Sequence, residues 1–299
     1  MNGMVANYIW LVCHANAKLA GSKLASNALE SDLFEHCLQQ QFVRYRNKHS
    51  TDNDGELVSD SPVGWIEYLS MSGSKGVRLV WATREEGLPN HVSAAFAGGG
   101  GQWSIETVMD DQSSVYWTSQ ERFVEERKKW WEFWVNEDAL PRGWDVLYEG
   151  REVVHPVMRV IPCVETQIEQ CTLKLMMSLQ RIAKFARENG QVFWAEGFFE
   201  KGISHLKGEI DESVDDDQYP SLAPSDMLSG KAARLLLAAQ AAAVFGGMGS
   251  WNDVYYESGQ HVQDQHDLLS AELYESMNAS YAAVASSTYP PAAMLTAKP

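Results

Sequence analysis

Apolar positions recur at helical spacing near both ends of the chain and at strand-like spacing in the middle. Residues 5–19 and 25–45 read as two helices joined at Gly21 and Ser22, and the polar run 47–54 ends the helical period. From 63 to 160 the composition turns to strand formers, tryptophans and turn residues, which predicts strands at 76–82, 91–97, 102–109, 114–118, 129–135 and 144–148. Their connections are short, so most neighbours should be antiparallel, with turns at 98–101 and 110–113 and a further hairpin opening at Glu149 and Gly150.

After Pro162, which suits a first helical turn, the period returns to helical. Val164, Ile168, Cys171, Leu175, Leu179, Ile182 and Ala186 form one apolar stripe, and Asn189 and Gly190 make a C-terminal stop. A further helix is expected at 191–206, then an exposed acidic loop at 209–224, an Ala- and Leu-rich central helix at 231–245, and a last helix at 263–283. In that last helix Leu269, Leu273, Met277, Ser280 and Val284 make the buried stripe. The fold class is therefore α+β: a central antiparallel sheet preceded by two helices and followed by a helical C-terminal half. In domain terms, 1–50 is an N-terminal helical pair, 51–160 a tryptophan-rich antiparallel sheet and 161–299 a helical region packed on it, all within reach of one domain.

With 299 residues and 45% hydrophobic content the chain can bury a full core. The longest apolar stretch, 235–248, is interrupted by Gln240 and falls short of the roughly 20 residues needed to cross a bilayer. No basic residue precedes the short apolar run 8–13, so neither a signal peptide nor an anchor is expected and the protein is assigned to the cytoplasm. The four cysteines read as thiols: Cys163 and Cys171 would sit roughly 12 Å apart along a helix, beyond bridging distance, and Cys13 and Cys37 as small buried hydrophobes.

Charge adds the main functional clue. From Glu209 onward there are 13 acidic and three basic residues, −10 of the total −16. Such a field repels nucleic acid and steers a basic protein.

Catalytic signatures are sparse. Glu106 and Glu132 are strand carboxylates near tryptophans, the residue types glycoside hydrolysis uses in pairs. Ser72 to Lys75 matches S-x-x-K, but Gly73 and Gly76 flank a strand, whereas that chemistry needs a helix N-terminus. His261 and His266 lie about 140° apart around a helix and cannot share a metal from one face. No cofactor or metal is expected. Seven of the 11 tryptophans fall between 76 and 148, and on 129–135 both strand faces would be aromatic, with Trp130 and Trp134 on one side and Trp131 on the other. They serve either as packing or as an exposed binding face. Gly246, Gly247 and Gly249, followed by Trp251, Asn252 and Asp253, make a distinctive turn, either a structural lock for the last helix or a binding loop.

The leading expectation is a non-enzymatic, acidic protein-binding module, in concrete form an inhibitor or immunity-type protein that neutralises a basic effector. Asp211, Asp215, Asp216 and Asp217 would steer association, and Trp251, Asn252 and Asp253 would supply the contact, with Trp251 as anchor. The alternative is a carboxylate-based hydrolase acting on a glycan or peptide at an aromatic-lined site. A homo-oligomer built on an apolar self-complementary patch is the third reading.

Overall fold

The computed structural model describes residues 3–22, 32–34, 36–45, 55–83, 88–94, 99–111, 113–125, 142–153, 164–210, 222–224, 226–257 and 259–290. Helix α1 (Gly3–Leu19) is followed by strands β1 (Cys37–Tyr45) and β2 (Glu56–Ser59), helix α2 (Pro62–Met71), strand β3 (Ser74–Ala82) and the short helix α3 (Asn90–Ser93). Strands β4 (Gln102–Met109), β5 (Ser114–Glu125) and β6 (Arg142–Val153) come next. The C-terminal half holds α4 (Val164–Glu188), α5 (Val192–Trp194), a π turn (Ala195–Glu200), α6 (Lys201–Lys207), α7 (Gly230–Ala241) and α8 (Gln260–Ser287).

The fold is α+β, with a six-stranded sheet in the order β2-β1-β6-β5-β4-β3. The sheet is mixed: β1 runs parallel to β6, while β1 with β2, β4 with β5, and β5 with β6 are antiparallel. Three segments correct the expectations. Cys37–Tyr45 is strand, so the second N-terminal helix does not extend through it. Glu149 and Gly150 open no hairpin but lie inside the continuous strand β6. The described part of 91–97 is also different, with Asn90–Ser93 forming a helical turn after Pro89. The expected strand at 129–135, with Trp130, Trp131, Glu132 and Trp134, lies outside the described residues.

The chain divides into two compact units. The first takes Met1–Cys13, Arg78–Trp103 and Met158–Tyr289, and the second His14–Val77, Ser104–Val157 and Pro290–Pro299.

In the second unit the core lies on one face of the sheet. Phe42 stacks on Tyr148 at 4.6 Å and on Trp65 at 5.0 Å, and Trp65 meets Trp117 edge-on at 5.7 Å. Trp65 comes from α2, which Ser61 starts by accepting the Gly64 N–H at 3.3 Å, with Pro62 in the first turn. Gly150 is required by this packing, because a Cβ there would lie 2.7 Å from the Trp117 ring. The Asn16 carboxamide bonds both backbone groups of Val77, donating to its carbonyl at 2.9 Å and accepting from its N–H at 2.8 Å.

In the first unit α4 and α8 pack antiparallel. Arg181 pairs with Glu272, and Cys171 Sγ approaches the Ala279 carbonyl at 3.7 Å. Most of the expected stripes are buried: Ile168, Leu175, Leu179, Ile182 and Ala186 on α4, where Cys171 is half-buried, and Leu269, Leu273, Met277, Ser280 and Val284 on α8. The alanine-rich α7 buries Ala232, Leu235, Ala238 and Ala239, and Tyr281 donates to the Ala239 carbonyl at 2.8 Å. Gly202 lets α6 come close, since a Cβ there would meet Leu179 at 3.1 Å and the Ala238 carbonyl at 3.3 Å. The Ser286 hydroxyl accepts from the Leu79 N–H at 3.0 Å and lies 3.2 Å from its carbonyl. No described helix is long and apolar enough to cross a membrane.

Candidate functional site

The acidic steering residues Asp211, Asp215, Asp216 and Asp217 lie outside the described residues. The other half of the expected site is placed, and Trp251 is not a surface anchor. Its ring is 0% exposed, set edge-on to Phe199 at 5.1 Å and Trp194 at 5.8 Å, and its indole N–H donates to Ser270 at 2.8 Å. An aromatic ring so enclosed packs the core and offers a partner no surface. Asn252 donates to the His91 carbonyl at 2.9 Å, and exposed Asp253 accepts from the Gly249 N–H at 2.5 Å. Of the loop's glycines only Gly249 needs its residue type, having φ +82, while Gly246 and Gly247 face open space.

Behind this loop lies a polar cluster that sequence reasoning missed. His266 is buried, with Nδ1 3.0 Å from the Asp267 carboxylate and Nε2 3.3 Å from the Trp251 carbonyl. His91 is buried edge-on against Phe245. Burial lowers the His91 pKa below the ordinary histidine value, with Asp267 pulling the other way and His266 adding to the lowering. The ring nitrogens of His91, Asn252 Oδ1, the Tyr256 hydroxyl and Gln263 Oε1 are all buried without a hydrogen-bond partner. Five-residue spacing excludes His261 and His266 from one helix face, and the structure bears this out: His261 is exposed and His266 buried. Among the described residues no group of three or more His, Cys, Asp or Glu side chains is placed to hold a metal.

The outer surface of α4 and α8 carries the second feature. On α8 all four charged residues other than histidine are acidic (Asp264, Asp267, Glu272 and Glu275), with no Lys or Arg. Leu268 on α8 is 56% exposed, and Leu173 and Met177 on α4 are 64% and 62% exposed. Met177 and Leu173 lie one and two turns before Arg181, and Leu268 and Glu275 lie one turn to either side of Glu272. Because Arg181 and Glu272 pair, these residues share one surface.

In the sheet unit, the aromatic residues described on the Phe42 face are core: Trp117 is 1% exposed and Trp65 0%. The opposite face is polar. Glu106, Tyr116, Arg151 and Tyr45 stand level in register across β4, β5, β6 and β1. Glu106 is buried and accepts from Tyr116 at 2.9 Å and Ser114 at 3.0 Å. Arg151 lies over the Tyr45 ring at 4.5 Å and donates to Glu149 at 3.3 Å, and Tyr45 donates to Glu149 at 3.4 Å. Glu149 and, further along β6, Asp145 are the other carboxylates described on Glu106's face, and Glu106 and Glu149 are both enclosed.

The S-x-x-K match is structural as well: Ser72 ends α2, and Lys75 sits 3.8 Å from Asp110. The described cysteines Cys13, Cys37 and Cys171 form no disulfide, and burial pushes the Cys13 thiol up to about 12. No family model, curated protein or solved structure matches this chain.

Proposed function

We propose that the protein is an acidic, non-enzymatic binding module whose α4–α8 surface receives a basic, amphipathic segment of a partner protein. One observation carries the reading: the Arg181–Glu272 pair brings exposed Leu173, Met177 and Leu268 onto the same surface as the acids of a helix without Lys or Arg. Apolar side chains at these spacings supply area to desolvate, and the carboxylates of α8 supply orientation and encounter rate, with the exposed cations Lys174, Arg181 and Lys184 confined to the α4 side. The anchor passes from Trp251, which is enclosed, to Leu268 and Met177. An inhibitor or immunity-type protein acting on a basic effector is the concrete form of this reading. It places the protein in the cytoplasm, where cysteines such as Cys13 stay as thiols.

The test uses an amphipathic Leu/Lys helix peptide as probe, with binding followed by fluorescence anisotropy at low and high salt. Asp264→Lys with Glu275→Lys should weaken binding chiefly at low salt, and Leu268→Asp should weaken it at both, with circular dichroism unchanged. Equal binding by all three proteins rejects this surface. The hydrolase reading is less well supported, because Glu106, the described member of its Glu106–Glu132 pair, is enclosed and tied to Tyr116 and Ser114.

A further inference from the structure

The polar face of the sheet continues beyond Glu149 into a groove. Along β1, β6 and β5, Val43, Glu149 and Thr118 form one row in register. Gln41, Leu147 and Gln120 form the next, and Gln39, Asp145 and Arg122 the last. These two outer rows line a cavity of about 350 Å³, at the small end of ligand sites. Side chains alternate across a strand, so all six point to the side away from Phe42 and Trp117.

We propose that this groove binds a neutral, hydroxyl-rich ligand of the sugar class. Each of the three carboxamides offers an acceptor oxygen and two N–H donors, the complement of a hydroxyl that both gives and accepts. Arg122 and Asp145 face each other at 2.9 Å, so the groove presents a fork of donors beside a pair of acceptors without a surplus positive charge. Glu121 also lines the groove. That balance disfavours phosphate, which needs surplus cation. Leu147, between Gln41 and Gln120, gives a small apolar floor on which the C–H side of a sugar ring can lie.

The experiment follows the side-chain amide signals of the intact protein in 1H–15N spectra during titration with maltose, cellobiose and chitobiose. Saturable shifts of Gln39, Gln41 and Gln120 are expected with at least one of them. In Gln41→Ala with Gln120→Ala, affinity read on Gln39 should fall by about tenfold, the effect of losing one or two hydrogen bonds. In Leu147→Trp, which fills the groove, the shifts should disappear while the remaining spectrum keeps its dispersion. The proposal is overturned if no sugar gives a saturable shift at millimolar concentration, or if Leu147→Trp responds as the parent does. Shifts caused by glycylglycinamide and by none of the sugars would assign the groove to peptide amides and overturn the sugar.

Discussion

Trp251 shows how a residue suited to an interface can be claimed by a core. A tryptophan after a glycine-rich turn reads as an anchor, but Ser270 accepts its N–H and Phe199 and Trp194 enclose its ring. Trp251→Phe should therefore destabilise the protein by about 1–3 kcal/mol in urea denaturation, since the Ser270 hydroxyl loses a buried partner, and should leave peptide binding at the α4–α8 surface unchanged. His91 gives a second residue-level expectation. Its folded pKa lies below the unfolded value, so as pH falls the unfolded chain takes up the proton first. The contribution of neutral His91 is intact above the unfolded value of about 6.5 and is lost as pH drops below it. The urea midpoint should fall between neutral and mildly acidic pH, and His91→Leu should flatten that fall. An equal fall in both proteins would assign the acid sensitivity elsewhere.

Helices α4 and α8 were legible because their stripes are long, regular and uninterrupted. Leu175→Ala should cost about 2–5 kcal/mol, whereas Leu173→Ala, two positions earlier and 64% exposed, should stay within about 0.5 kcal/mol. Similar losses for the two would reject the assigned face. β4 was equally readable and falls on its expected bounds, Gln102–Met109. β1 was not, because glutamines at 39, 40 and 41 are good helix formers and Leu38 and Phe42 stand one helical turn apart. Pairing with β6 and β2 and the stacking of Phe42 between Trp65 and Tyr148 override that propensity. Gly150 misled for a different reason: it relieves a close approach of Trp117 and does not mark a turn. The site was legible in part. The acid of α8 and the Trp251–Asp253 turn show in the sequence, but the groove and the Glu106–Tyr116–Arg151–Tyr45 row depend on strand register, which spacing alone does not fix.

For the whole molecule, the net charge of −16 is a long-range property that no single pair creates. Neutralising Asp215, Asp216 and Asp217 to Asn should leave the thermal midpoint nearly unchanged and slow association with a basic probe peptide at low salt. Unchanged association rates would remove the steering role. The sheet's exposed ends raise a different matter, the order in which the chain is made. β3 is the last strand of the sheet, and the outward backbone groups at its edge are met by Asn16 at Val77 and by Ser286 at Leu79. Asn16 precedes the strand, but Ser286 lies 207 residues after Leu79. At about 5–20 residues per second a ribosome needs roughly 10–40 s to supply that hydroxyl. For that interval a growing chain carries an open, apolar strand edge, the kind other strands join. Aggregation during synthesis should therefore be greater for a chain truncated before Ser286 than for the full chain, as the insoluble fraction of the two would show.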